Sequence, residues 1–108
     1  MDMSACGVVL VTIDSQETAI ALANALVNEG LAACINLFPI QSIYRWQGQA
    51  QQDNEWQLVI KTSLRRYAEL AARVEALHPY EVPEIVVLPI LAGSTAYLGW
   101  VTEQTQPR

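Results

Sequence analysis

Few residues in this chain have the chemistry to carry a reaction or bind a metal. His78 is its only histidine, in the stretch Leu77-His78-Pro79-Tyr80-Glu81-Val82-Pro83-Glu84. A Ser-His-Asp or Cys-His centre would need it as base. Cys34 is the available nucleophile, but no GxSxG or comparable local signature accompanies it, and a small buried thiol is the commoner explanation of such a cysteine. As a metal ligand, His78 has Glu81 and Glu84 close by in sequence and no HxxxH or CxxC partner, whereas soft metals prefer thiolate and imidazole. The plainer reading is that His78 closes a helix, where an imidazole suits the negative end of the dipole. Asp53 and Glu55 flank Asn54 and form a pair that acid–base chemistry could use; at a turn-to-strand junction they read as solvated charges. Tyr44, Trp46 and Trp56 could wall a ligand cleft or pack as cross-strand pairs. There is no glycine-rich phosphate loop.

The bulk composition narrows the function classes. The 108 residues fit one compact domain, 1–108, with a loose tail over about 105–108. At 52% hydrophobic and 16% charged residues, disorder is not expected. Apolar runs such as Val8-Val9-Leu10-Val11 are far short of a membrane span, and the acidic start Met1-Asp2-Met3-Ser4 lacks the pattern of a signal peptide. The net charge is −5, and the six basic residues form no long run. Nucleic acid is therefore not an expected partner, since binding it requires a basic face. Two cysteines outside any CxxC pair read as reduced thiols, with the cytoplasm as the default address.

The elements that must position these residues can be read from period and punctuation. Gly7–Ile13 is β-branched and apolar, hence a strand. Asp14 or Ser15 caps a helix whose face is Ala19, Leu22, Ala23 and Leu26, and Gly30 stops it. Ala33–Trp46 is extended, Gln47-Gly48-Gln49 turns, and Asn54–Thr62 returns with Trp56, Leu58 and Ile60 on one face, making a long hairpin. Ser63 is expected to cap a second helix with the stripe Tyr67, Leu70, Ala71, Val74 and Leu77, leaving Arg65, Arg66, Glu69, Arg73 and Glu75 mostly in water. Pro79 ends that helix. Glu84–Leu88 is a fourth strand, and Gly93-Ser94 opens a short helix to about Gln104, packed through Tyr97, Leu98 and Val101. The order β-α-β-β-α-β plus a terminal helix is the split βαβ, ferredoxin-like α+β arrangement, with both main helices on one face of an antiparallel sheet.

One helix layer leaves a difficulty. Val8–Val11 and Ile85–Leu88 are apolar on both faces, and leaving such side chains in water forgoes roughly 1.5–3 kcal/mol each. The over-long hairpin also presents unpaired edges. A symmetric homo-oligomer resolves both.

Four segments carry a resemblance: Leu31-Ala32-Ala33-Cys34-Ile35-Asn36, Ser42-Ile43-Tyr44-Arg45-Trp46-Gln47-Gly48, Val59-Ile60-Lys61-Thr62 and His78-Pro79-Tyr80-Glu81-Val82-Pro83-Glu84, with a closing Tyr97-Leu98-Gly99-Trp100. Together they closely resemble the CutA family, the divalent-cation tolerance proteins, over essentially the whole chain. The resemblance implies a ferredoxin-like fold in a tight homotrimer, similar in form to PII-type trimers, associated with tolerance of copper and other divalent metals and with no established enzyme reaction. Some copper-binding members have a cysteine where this chain has Val11 and a second histidine where it has Leu77. Only His78 remains, so weak binding of Cu or Zn through His78 is expected, with no tightly bound cofactor. Clefts between subunits are the expected place for a small ligand, lined by Tyr44, Trp46, Glu55, Lys61 and His78. Two functions follow: a non-catalytic, metal-responsive trimer, or a PII-like sensor of a small anionic or nucleotide-like ligand.

Overall fold

The computed structural model describes residues 5–107; the acidic start Met1–Ser4 and Arg108 lie outside the described residues. The chain runs β1 (Cys6–Ile13), α1 (Gln16–Asn28), β2 (Cys34–Trp46), β3 (Gln49–Ser63), a 3-10 turn (Leu64–Arg66), α2 (Tyr67–Leu77), β4 (Ile85–Pro89) and α3 (Thr95–Gln104). The strands form one sheet in the order β2-β3-β1-β4, every neighbouring pair antiparallel. This is the split βαβ arrangement expected from the order of elements.

Local chemistry explains most boundaries. The Ser15 hydroxyl accepts from the Thr18 amide at 3.2 Å and starts α1. Gly30 takes φ 73° just after it, a conformation glycine adopts without a Cβ penalty. His78, before Pro79, turns extended at φ −77°, ψ 137° while its amide still bonds the Val74 carbonyl. Ser94 caps α3 by accepting from the Tyr97 amide. The expected Ser63 cap is absent: a 3-10 turn intervenes before α2, and the Ser63 hydroxyl instead meets Thr105 Oγ1 at 2.6 Å.

The core lies between the sheet and the two main helices. Val9, Val11, Ile13, Leu58 and Ile60 meet Ala19, Leu22 and Leu26 of α1 and Leu70 and Val74 of α2, with Trp56 packed at the margin. The inward alternation of Trp56, Leu58 and Ile60 therefore holds. Helix α2 differs at both ends. Arg66 is buried and paired with Glu69 at 2.9 Å rather than solvated, and Leu77 is largely exposed. In α3, Val101 is buried and Tyr97 is not. Thr105, assigned to the tail from sequence, is fully buried and bonds the Val101 carbonyl at 2.8 Å, so it belongs to the packed body.

The opposite face of the sheet is covered unevenly. At one end α3 seats on it, with Cys6 Sγ against Thr102 Oγ1 and Ser63 against Thr105. Beyond α3, Phe38, Val86 and Leu88 are exposed, beside half-buried Val8, Leu10 and Val59. The hairpin extends well past the core: β2 and β3 pair continuously from Cys34↔Lys61 to Trp46↔Gln49, and the molecule measures 43 × 26 × 22 Å. Its tip is a two-residue turn with positive φ at Gln47 (51°) and Gly48 (79°), the geometry that matches strand twist. Strand β3 thus starts at Gln49, so Asp53 and Glu55 stand within a strand and not at its junction with a turn.

Candidate functional site

The far end of this second face holds a groove of about 700 Å³. Alternation on paired strands builds its floor: Ile40, Ser42, Tyr44 and Trp46 of β2 share a face with their partners Asp53 and Glu55 of β3, while Thr12 of β1 lies beside Gln57. The loop after α2 makes the other wall, with Tyr80, Glu81, Val82 and Glu84. All its charged lining side chains are carboxylates: Asp53, Glu55, Glu81 and Glu84.

Two tyrosine–carboxylate pairs order the groove. The Tyr80 hydroxyl donates to Glu55 Oε2 at 2.7 Å, and the Tyr44 hydroxyl donates to Asp53. Burial, then the Glu55 bond and charge, push the Tyr80 phenol pKa up strongly from its ordinary 10.0. The hydrogen bond to Asp53 is the main cause raising Tyr44. Glu55 is only 7% exposed.

His78 stands behind this wall, 8% exposed. The Tyr80 amide donates to His78 Nδ1 at 3.1 Å. That makes Nδ1 the acceptor and leaves the proton on Nε2, which donates to the Thr12 carbonyl at 2.7 Å. The imidazole ties the end of β1 to the loop, and its ring meets that of Tyr80 edge-on at 4.6 Å. Both ring nitrogens are committed to backbone groups, so His78 does not fit the role of metal contact expected from the sequence. Among the described residues, no three His, Cys, Asp or Glu side chains are gathered to hold a metal ion.

The five residues assigned to one cleft separate. Tyr44, Trp46 and Glu55 do line the groove. His78 supports it from behind. Lys61 lies six residues along β3 from Glu55, roughly 20 Å away at strand rise, hydrogen-bonded to Asn36. Trp56 faces the core. Cys34 pairs across β2–β3 with Lys61, near Tyr97, whose pKa is raised by burial and by the thiol. It is thus remote from His78, and the Cys-His reading finds no support in the geometry. Tyr80 and Thr12 were not singled out from sequence. The alternation of β2 and β3 could have grouped Tyr44, Asp53 and Glu55; nothing local shows that the loop after His78 folds over them.

Fold and site define a class: an α+β, split-βαβ protein with an acidic, aromatic-walled groove at the free end of its sheet. The comparisons with known proteins bear on the fold and the family. The family profile described as CutA1 divalent ion tolerance protein matches residues 7–104. The divalent-cation tolerance protein CutA of Thermus thermophilus is 52% identical over 99 residues, covering 91% of this chain and 96% of that one. The chloroplastic CutA protein of Arabidopsis thaliana is 45% identical over 92% of this chain, which spans only 55% of that longer protein. Among solved structures, CutA1 of Oryza sativa superposes with a TM-score of 0.94 at 39% identity, covering 98% of each chain. The periplasmic divalent cation tolerance protein CutA of Archaeoglobus fulgidus gives 0.92 at 34% identity, covering 94% of this chain and 99% of that one. The chain belongs to the CutA1 divalent ion tolerance family.

Proposed function

We propose that this protein is a non-catalytic homo-oligomer, a trimer by the form the resemblance implies, that responds to divalent cations through its acidic groove. The observation that carries the reading is the sign of the groove: four carboxylates and no basic side chain line it. Such a site concentrates cations and repels phosphates and other anions. It therefore favours the metal-responsive reading over a sensor of an anionic or nucleotide-like ligand; Lys61, the one basic residue among the five expected cleft residues, is not in its lining. Oxygen ligands suit hard divalent cations better than they suit copper. Because the carboxylates are not gathered into a closed cage, the ion keeps much of its water and binds weakly. The uncovered apolar strip of Phe38, Val86 and Leu88 supports assembly.

A non-catalytic role agrees with the one imidazole being held between two backbone groups. No described helix is long and apolar enough to cross a membrane. The cytoplasm remains the proposed address, although relatives are named chloroplastic and periplasmic.

Calorimetry at neutral pH with Mn²⁺, Zn²⁺ and Cu²⁺, against phosphate and ATP, tests the reading. Weak binding of the metals and none of the anions is expected. Binding of ATP or phosphate without the metals would overturn it.

A further inference from the structure

A hydrated metal ion would use only part of this groove. It needs carboxylate oxygens within about 2–2.6 Å and no apolar wall. The groove also offers the rings of Tyr44, Trp46 and Tyr80, and its volume of about 700 Å³ is that of a small-molecule site. Trp46 lines the groove and is 52% exposed in the single chain, so the chain itself leaves its indole available for a contact. The second observation is Glu55. It is 93% removed from solvent by its 7% exposure, it lines the groove, and its one hydrogen-bond donor among the described residues is the neutral Tyr80 hydroxyl. The ion pairs among those residues, Arg66–Glu69 and Arg73–Glu29, lie elsewhere. A buried carboxylate without a cationic counterpart is costly, and a ligand that brings the charge relieves that cost.

We infer that the groove is a binding site for a small organic cation, an ammonium or guanidinium group on an apolar body. The cationic head sits between Glu55 and Asp53. The two tyrosine hydroxyls hold these carboxylates in place by donating to them. The rings of Tyr44, Trp46 and Tyr80 present electron-rich faces to the charge, and Ile40, Ile43 and Val82 receive the apolar body. This goes beyond the divalent-cation reading, because the aromatic wall adds affinity only for a cation that has shed its water. Pairing of charge with Glu55, and not hydrophobic burial alone, sets the specificity.

The probe is phenethylammonium, compared with phenethyl alcohol, which has the same shape and no charge. Each is titrated into the assembled full-length protein and followed by calorimetry and by amide shifts, with Mn²⁺ titrated separately. At least tenfold tighter binding of the amine is expected, with shifts at Ser42, Tyr44 and Tyr80. Glu55→Gln, whose amide oxygen can still accept from Tyr80, should bring the amine down to the level of the alcohol. Trp46→Ala, at an exposed position, should weaken it several-fold. Equal binding of amine and alcohol, amine binding unchanged in Glu55→Gln that melts like wild type, or no amine binding would each overturn the inference. Should Glu55→Gln not fold, Asp53→Asn at its exposed site carries the same comparison. Mn²⁺ binding without amine binding would defeat this inference alone; amine binding without Mn²⁺ would defeat the divalent-cation reading alone.

Discussion

His78 shows why a residue's type and its role can part. Its chemistry invites a metal or a base, yet its two nitrogens join Thr12 to Tyr80 and so hold the groove's wall. Removing it leaves a buried carbonyl and an amide without partners, at about 1–3 kcal/mol. His78→Ala should therefore lower the melting temperature and, by loosening the wall that carries Glu81 and Glu84, reduce divalent-cation affinity only in step with that loss of stability. A large loss of metal affinity at unchanged stability would restore His78 as the ligand. Tyr80 makes a pH claim. Its folded pKa lies above the ordinary 10.0, chiefly through burial and the bond to Glu55. Its contribution to stability is thus complete below about pH 10 and is lost as pH rises toward the folded value. Urea midpoints measured from pH 8 to 11 should fall on the alkaline side, and Tyr80→Phe should flatten part of that fall. An unchanged slope would mean that the phenol is not coupled to folding.

Among the elements, the hairpin sets the groove's geometry because its register decides which side chains share a face. That register depends on a tight turn in which Gly48 takes φ 79° with nothing within 4 Å of where a Cβ would stand. Gly48→Ala therefore isolates backbone strain and should cost about 1–2 kcal/mol, read as a shift of the urea midpoint. No shift would mean that the turn relaxes freely. The hairpin also marks how far the sequence was legible. The inward set Trp56, Leu58, Ile60 followed from alternation, and Ser15, Gly30 and Pro79 placed helix ends by local rules. Polar residues hid the rest of β3: Gln49–Asn54 have no apolar alternation, so Asp53 and Glu55 read as turn charges. The 3-10 turn at Leu64–Arg66 displaced the expected Ser63 cap because the Ser63 hydroxyl serves Thr105, a long-range partner that short periods cannot reveal. The groove was half legible for the same reason: the three lining residues named from sequence, Tyr44, Trp46 and Glu55, lie on the hairpin, and Tyr80 reaches them only through the tertiary fold.

At the scale of the molecule, the sheet's second face joins the two proposals. Helix α3 covers one end, the groove occupies the other, and an apolar strip lies between. If that strip is an interface between copies, Leu88→Asp should yield folded single chains, because Leu88 is half exposed on the monomer and its charge is tolerated there. Light scattering should give about three times 11.9 kDa for wild type and one times that mass for the variant. A single-chain mass for wild type would remove assembly from the account. The central claim, that the groove is where this protein meets divalent cations, has a more direct test. Mn²⁺ relaxes nearby nuclei, so its position can be read from which amide signals broaden at low metal. Broadening centred on Ser42, Asp53, Glu81 and Glu84, with Cys34 and Lys61 at the other end of the strands unaffected, is the result the account predicts. Broadening centred on the Cys34–Lys61 end, or spread evenly over the surface, would contradict it.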